Sequence, residues 1–384
     1  MRRINTLDQL PRRGRQGTIL RSPRRMIPFI GIATLGLGTL VATPADAVSD
    51  HQSLPGIIVF QRADQDDQWQ LWVANADLSN QRQISVGPYT SGFATWNPNG
   101  SRLAFDSNRS DPDLTDDVWP NDVFTMNPDG TGVVQVTNFG SGFSGDPGWS
   151  PDGEWLVFES DGGDYPTNQG IYVSRPDGSQ LRRVTTLPEG YGFDAAPQFS
   201  PDGKRIVFTR FQFDEQGNEN SALHIVNVDG THERRLDATA DDVHPGDANW
   251  SPDGKTLTFE TWVFPHTIRA DGTHMRDLFP EREEGFALGA DPVYSPDGKQ
   301  IMLLRGEFTS DGNVITIGLS VMDKNGKKLR YVTDNPSEAT QEHQPDWVLA
   351  PRLGPGASKV RATDRRGVSK RAFTTRRDVY SHRR

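Results

Sequence analysis

Short stretches in which hydrophobic and polar residues alternate recur along the chain about every fifty residues. Each stretch follows the same phrase, an aromatic residue and then Ser-Pro-Asp-Gly or Asn-Pro-Asn-Gly. The copies start at Trp96, Trp149, Phe199, Trp250 and Tyr294, and Pro345-Asp346-Trp347 is a partial sixth copy. The steps between the aromatic residues are 53, 50, 51, 44 and 53. A repeat of this length, in which an aromatic residue and a glycine recur at fixed places, is typical of an all-β repeat fold.

The same four strands can be predicted within each unit. The aromatic residue ends the first strand, and Pro-Asp-Gly supplies the fixed φ, the side-chain cap and the positive φ of a tight turn. Apolar residues at alternate positions, such as Leu156 and Phe158, then indicate a half-buried second strand. A third apolar strand, such as Leu223–Val226, leads into an Asp-Gly or Asn-Gly hairpin and a fourth strand. Four consecutive antiparallel strands form one propeller blade.

The two ends of the repeat region complete each other. Segments 57–60, 71–74 and 83–85 have the pattern of strands two, three and four of a blade without its first strand. Segment 344–349, around Trp347, has the pattern of a first strand that is not followed by strands two, three and four. Joining the two removes exposed sheet edges. The sequence therefore predicts an all-β, six-bladed β-propeller over residues 48–350, closed by its N-terminal strands and a C-terminal strand.

The Trp-Ser-Pro-Asp-Gly phrase, with its apolar strand and Asp-Gly hairpin, resembles the WD-like repeat of TolB-type β-propellers. The resemblance covers roughly 300 of the 384 residues. TolB proteins carry an α/β domain before the propeller, whereas about ten residues separate Ala47 from the first predicted strand here. The resemblance is therefore to the propeller only, and the envelope-spanning Tol role is not implied.

Charge divides the chain into three zones. Residues 1–47 carry a net charge of +6, residues 48–350 of −25 and residues 351–384 of +9. Because an acidic body repels phosphate backbones, we expect no nucleic-acid binding. The chain has no cysteine, which excludes disulfides, thiolate zinc sites and cysteine nucleophiles. The basic tail 351–384 has no apolar period, and we expect it to be disordered.

The first 47 residues have the three parts of a secretory signal peptide. Arginines precede an uncharged stretch from Met26 to Thr43, and Ala45-Asp46-Ala47 forms a cleavage site. We therefore expect export to the periplasm, cell wall or medium, with an uncleaved membrane anchor facing outward as the alternative. Arg24-Arg25 leaves open whether export uses the Sec or the twin-arginine route.

Acidic residues precede the repeat aromatics, where the innermost strands should surround the central channel. Three aspartates lie three residues before the aromatic, and further acidic residues and a histidine lie nearby. The predicted ligand site comprises Asp146, Asp194, Asp247, Asp291, Glu342 and His343. Facing carboxylates bind Ca²⁺, another cation or a basic partner. Each aspartate could equally cap its own loop.

Two weaker sites are also conceivable from the sequence. Asp111, Asp113, Asp117 and Asp122 fall in a calcium-loop register, but Asp116 replaces the required glycine, and a solvated acidic loop is the better interpretation. Some polysaccharide lyases of similar architecture, such as oligogalacturonate lyase, use channel histidines with a divalent metal. His244, His266 and His343 are the residues to inspect for that chemistry.

No catalytic constellation emerges from the sequence. Gly142-Phe143-Ser144-Gly145 comes closest to a nucleophile elbow, but Asp146 stands where the last glycine should be. We therefore expect a non-enzymatic, monomeric binding or scaffold module with a protein, peptide or glycan partner. No cofactor is implied beyond Ca²⁺ at the channel mouth. A metal-dependent polysaccharide lyase or hydrolase is the alternative.

Overall fold

Strands and tight turns account for the regular structure of the described residues. The structure is a computed structural model that describes residues 54–63, 68–110, 121–140, 142–163, 169–187, 191–213, 219–236, 244–261, 264–279, 287–308, 314–333, 342–350 and 353. These residues form six four-stranded antiparallel sheets, which are numbered here as blades 1 to 6 in chain order. The predicted six-bladed β-propeller is confirmed. Within these ranges there is no helix with the length and apolar character needed to cross a membrane.

The blades differ mainly in the length of their strands. Blade 1 consists of β1 (Ile57–Ala63), β2 (Trp69–Asn75), β3 (Arg82–Gln83) and the C-terminal β24 (Glu342–Val348). Blade 2 consists of β4 (Ser91–Trp96), β5 (Leu103–Ser107), β6 (Asp122–Met126) and β7 (Val134–Gln135). Blade 3 consists of β8 (Ser144–Trp149), β9 (Leu156–Ser160), β10 (Gly170–Ser174) and β11 (Arg182–Arg183).

The second half repeats this arrangement with longer strands. Blade 4 consists of β12 (Tyr191–Phe199), β13 (Arg205–Phe213), β14 (Glu219–Asn227) and β15 (Arg234–Arg235). Blade 5 consists of β16 (Pro245–Trp250), β17 (Thr256–Thr261), β18 (Phe264–Arg269) and β19 (Arg276–Asp277). Blade 6 consists of β20 (Ala287–Tyr294), β21 (Gln300–Phe308), β22 (Val314–Asp323) and β23 (Arg330–Tyr331). The outermost strands are two residues long and end slightly earlier than the sequence pattern predicts.

The Ser-Pro-Asp-Gly turn is held by its own side chains. In blade 3 the Ser150 hydroxyl donates to Asp152 Oδ1 at 2.5 Å and accepts the Trp155 N–H at 2.9 Å. Gly153 adopts a φ of +71°, which only glycine takes without strain. The serine hydrogen bond lowers the pKa of Asp152, so the carboxylate is ionised at neutral pH. Equivalent bonds hold the turns at Asp202 and Asp253.

The hydrophobic core lies at the seams between blades. Strand two of blades 1 to 5 contributes one fully buried phenylalanine, and blade 6 contributes the buried Leu303. These five residues are Phe60, Phe105, Phe158, Phe208 and Phe259. In the described ranges, the buried apolar residues form six clusters, each joining two neighbouring blades. No blade buries its apolar faces alone, so the ring stabilises itself as a unit.

The C-terminal strand closes the ring, as the sequence predicts. β24 pairs antiparallel with β1, with Trp347 opposite Ile58 and Val348 opposite Ile57. Trp347 is 5% exposed, and its indole N–H donates to the Pro55 carbonyl at 2.7 Å. The chain is fastened once more at Leu353, whose N–H donates to Asn75 Oδ1 at 2.7 Å.

Candidate functional site

Each innermost strand carries a β-bulge at the same place, three residues before the repeat aromatic. The pairing register with strand two shifts there in all six blades. The bulged residue has a positive φ between 44° and 51°, although it is never glycine. These residues are Phe93, Asp146, Ala196, Asp247, Asp291 and Gln344. Strained positions of this kind cluster at functional sites, and here they re-aim one residue per blade toward the centre of the ring.

The bulges surround a cavity of about 90 Å³ to which all six blades contribute. Its lining comprises Phe93, Ala94, Thr95, Asp146, Pro147, Ala196, Gln198, Asp247, Ala248, Asn249, Asp291, Gln344, Pro345 and Asp346. Four of these are aspartates, and no lysine or arginine is among them. We call this region, together with Glu260, the channel mouth. It offers negative charge and carbonyl-type oxygens to a ligand that enters from this end of the channel.

Three carboxylates of the channel mouth converge at the seam between blades 5 and 6. One oxygen from each of Asp247, Glu260 and Asp291 lies within 4.8 Å of the other two. Glu260 Oε2 also accepts the backbone N–H of Asp291 at 2.8 Å, and Asp291 Oδ2 accepts that of Gln344 at 3.1 Å. Oxygen donors at this separation suit a hard cation such as Ca²⁺ or a basic side chain.

The sequence analysis did not include Glu260 among the ligand residues, although its position in the repeat could have indicated it. It directly follows the fully buried Phe259 in strand two. In two other blades the side chain at this position also accepts the backbone N–H of the bulge residue in the next blade. Glu159 accepts the N–H of Ala196 at 3.2 Å, and Gln61 accepts the N–H of Phe93 at 3.2 Å. An acceptor after the core phenylalanine therefore supports the bulge of the next blade.

Asp346 joins the channel mouth to the ring closure. Its Oδ2 accepts the backbone N–H of Trp96 at 2.6 Å and the Thr95 hydroxyl at 3.0 Å. Burial raises the pKa of Asp346 above its ordinary value, although these hydrogen bonds oppose the rise. Asp346 thus links β24 to blade 2.

The structure separates the six predicted ligand residues. Asp146, Asp247 and Asp291 occupy bulge positions and line the cavity. Asp194 is fully buried and forms a two-point ion pair with Arg210, with Nε–Oδ1 and Nη2–Oδ2 distances of 2.6 and 2.9 Å. Glu342 lies opposite Arg62 on β1, and its side chain falls outside the described residues. Ligand binding by this set stays a prediction.

His343 lies one residue before the bulge of blade 1 and packs edge-on against Trp69, with ring centroids 5.1 Å apart. Burial lowers its pKa to about 4, so the imidazole is neutral at physiological pH. It is not among the residues that line the cavity. The position indicates a packing role in the closing blade.

The three histidines considered for lyase chemistry lie apart. His244 contacts Ser221 at 3.5 Å between blades 4 and 5. His266 is buried on the third strand of blade 5, where it bonds to the Phe264 carbonyl at 2.8 Å. His343 belongs to blade 1. Among the described residues, the set with metal-compatible spacing contains three carboxylates and no histidine.

The predicted calcium-loop register lies largely outside the described residues, which exclude Asp111, Asp113 and Asp117. Asp122 opens β6, where its carboxylate accepts hydrogen bonds from Ser110 Oγ, Gln135 Nε2 and Thr137 Oγ1 at 2.7 to 2.9 Å. These contacts tie three segments of blade 2 together. They give Asp122 a structural role that needs no metal.

Known proteins that are similar to this chain support its fold more than they indicate its function. No family model matches the sequence. An uncharacterized protein of Agrobacterium fabrum, Atu1656, is 30% identical over 166 residues, which cover 43% of this chain and 52% of the relative. The chain thus spans about half the length of the curated relative that it matches.

Solved structures share the architecture at low sequence identity. TolB from Acinetobacter baumannii aligns with a TM-score of 0.53 at 18% identity, covering 77% of this chain and 67% of its own. The structure described as putative TolB from Agrobacterium tumefaciens aligns with a TM-score of 0.52 at 18% identity, covering 78% and 94%. A chain of the nidogen/laminin complex aligns at 12% identity with a TM-score of 0.53, covering 76% and 98%. The chain therefore has the fold of a TolB-type six-bladed β-propeller.

Proposed function

We propose that the protein is a non-enzymatic binding module whose channel mouth receives a basic segment of a protein partner. The convergence of Asp247, Glu260 and Asp291 within 4.8 Å carries this proposal. No lysine or arginine is among the residues lining the cavity. A lysine or arginine side chain from a partner would complement this acidic lining and donate hydrogen bonds to its carboxylates.

The distribution of charge over the propeller supports the same site. The strand-one to strand-two turns and the hairpins leading into strand four lie at the end of the ring opposite the bulges. Together with strand four itself, they contain 15 of the 22 basic residues in 48–350 but only 12 of the 47 acidic residues. The remaining segments, including the connections that begin and end at the channel-mouth side, therefore hold 35 acidic and 7 basic residues. A basic partner is steered to the mouth side of the ring.

The relatives agree with a binding role in general terms. TolB-type propellers and a chain of the nidogen/laminin complex share the architecture, and the latter structure is a complex between proteins. Propellers present a rigid rim on which binding residues are fixed by the strands. We further propose that the chain is exported, because residues 1–47 have the pattern of a signal peptide. Mass spectrometry of the secreted protein should then find Val48 at the N-terminus, whereas an intact residue 1 would contradict cleavage.

Neutralising two carboxylates of the channel mouth should weaken the binding of a basic probe peptide such as hexa-arginine. In Asp247→Asn/Asp291→Asn, about 1 kcal/mol is lost for each charge removed at roughly 4 Å, so the Kd should rise roughly 10- to 30-fold. Asp229→Asn/Asp271→Asn is the matched control, because both aspartates cap exposed hairpins on the other side of the ring. Calorimetric titration at low ionic strength measures both variants.

Two comparisons in this titration test whether the peptide binds at the channel mouth and whether calcium binds there. Equal loss in the control variant would show that the peptide responds to overall charge and not to the channel mouth. If the carboxylates also hold Ca²⁺, calcium should compete with the peptide in the wild type and not in Asp247→Asn/Asp291→Asn. Identical affinity with calcium and with chelator would contradict a calcium site here.

A further inference from the structure

A second cleft opens at the seam between blades 3 and 4, on the side of the ring away from the channel mouth. Its volume is about 380 Å³, within the range of small-molecule sites. Trp155, Phe199 and Val228 form its apolar walls, and the turn residues Asp152 and Asp202 stand at its polar side. The turns that carry Asp152 and Asp202 are held by their own serine hydrogen bonds, so the cleft is preformed.

Trp155, which lines this cleft, departs from the repeat. The residue at the same place, two positions after the turn glycine, is Arg102, Arg205, Thr256 or Gln300 in the other complete repeats. At the next seam, the Arg205 guanidinium covers the ring of Trp250, 5.1 Å from its centroid. At the blade 3/4 seam an indole ring replaces that cation, and an aromatic surface lines the cleft.

The tryptophan ring is held in place before any ligand arrives. Trp155 packs against the core cluster of blades 3 and 4 and is half-buried. The Arg175 guanidinium stacks on the ring at 4.2 Å and is itself paired with Glu154 at 2.7 Å. Both contacts restrict the indole rotamer, so little conformational entropy is lost when a ligand stacks on it.

The polar groups of the cleft supply hydrogen-bond acceptors. Oδ1 of Asp152 and of Asp202 accepts the turn serine hydroxyl and a backbone N–H. The serine hydrogen bonds lower the pKa of both aspartates, which keeps them ionised. The turn uses only Oδ1 of each carboxylate, so Oδ2 can accept hydrogen bonds from a ligand.

The two aspartates that line the cleft have basic neighbours. The charge of Arg175 acts on Asp152, and the charges of Arg205 and Lys204 act on Asp202. Such a rim offers donors and acceptors together, and it favours neither a cationic nor an anionic ligand. The ligand that matches it is neutral, has groups that both donate and accept, and has one apolar face for the indole.

We propose that this cleft is a carbohydrate-binding site that takes a neutral pyranose ring. The C–H face of the sugar stacks on Trp155, and its hydroxyls donate to Asp152 and Asp202 while accepting from the basic groups at the rim. The site is independent of the channel mouth, because it lies at the opposite side of the ring and shares no residue with it.

The test is a titration of the full chain with cellobiose, maltose and N,N′-diacetylchitobiose, followed by the Trp155 indole N–H resonance. At least one sugar should shift this resonance with a Kd at about the millimolar level, which corresponds to roughly 4 kcal/mol. Trp155→Arg restores the residue of blades 2 and 4, and it should keep the fold and weaken binding at least tenfold, as read from sugar-observed NMR. Asp202→Asn keeps the Oδ1 acceptor of the turn and should weaken binding severalfold.

Thr256→Ala, at the place in blade 5 equivalent to Trp155, is the control and should bind as the wild type does. Trp155→Phe gives a second reading if the arginine variant folds poorly, because a smaller ring should retain part of the affinity. The proposal is overturned if none of the three sugars moves the Trp155 resonance, or if Trp155→Arg binds as tightly as the wild type. Saturation of the cleft by a proline-rich peptide in place of sugar would also contradict it.

Discussion

Replacing Trp347 by alanine should destabilise the propeller by about 3 to 5 kcal/mol, the usual cost of removing a buried tryptophan. Its ring belongs to the cluster that joins blades 6 and 1, where the first and last strands of the propeller pair. The substitution also removes the hydrogen bond to the Pro55 carbonyl. Because the ring depends on every seam, the loss should appear as a lower midpoint of one cooperative urea transition.

A neighbouring substitution provides the control for this result. Leu349 lies two residues further along the chain and is 66% exposed. Leu349→Ala should change the free energy of unfolding by less than about 0.5 kcal/mol. An equally small effect of Trp347→Ala would mean that the closing strand contributes little to stability, against the role assigned to it.

Lowering the pH from 7 to 5 should cost about 2 kcal/mol of stability through His343 alone. Its pKa is about 4 in the folded chain and about 6.5 in the unfolded chain, because burial disfavours the charged imidazole. Between these values the unfolded chain binds more protons. The contribution of His343 is therefore complete above about pH 6.5 and is lost as the pH falls towards 4.

Comparison with a variant isolates this contribution from the acid titration of the carboxylates. His343→Gln should show a stability loss between pH 7 and pH 5 that is smaller than the wild-type loss by about 2 kcal/mol. His274→Gln, in an exposed hairpin, should retain the wild-type pH dependence. Parallel curves for His343→Gln and the wild type would contradict a neutral, half-buried His343.

The fold was predictable because its signals are local and repeated. Pro-Asp-Gly fixes a turn wherever it occurs, and the serine before it bonds to the aspartate within the same five residues. Ring closure was predictable because no first strand precedes segment 57–60 and no second, third or fourth strand follows the strand around Trp347. The short outer strands were less predictable, since residues such as Val136 and Val184 continue the apolar pattern after the ladder has ended.

The channel mouth was predictable only in part, because a bulge decides which residue faces the centre. Asp146, Asp247 and Asp291 share the position three residues before the aromatic, and each takes the left-handed conformation. Asp194 and His343 lie two and one residues earlier than that position in their blades. Being near the same strand end does not place a residue in the bulge, and Asp194 is instead buried against Arg210.

Contacts between blades lie beyond the reach of a sequence pattern. Glu260 belongs to blade 5, yet it supports the bulge of blade 6 and completes the group with Asp247 and Asp291. The cleft at Trp155 likewise exists because of what stands opposite it in blade 4. The repeat shows that Trp155 is unusual at its position, but only the packed seam shows that a cleft results.

The closing of the ring can be tested directly by cross-linking its two ends. Ile57 and Val348 are paired across β1 and β24, at a separation that suits a disulfide, and the chain contains no other cysteine. Ile57→Cys/Val348→Cys should form an intramolecular disulfide on mild oxidation, seen as loss of both free thiols and a mass decrease of about 2 Da. The pair Ile57→Cys/Val134→Cys, which joins different blades, should not. Persistent free thiols in the first pair, under conditions where the protein is folded, would contradict a propeller closed by its C-terminal strand.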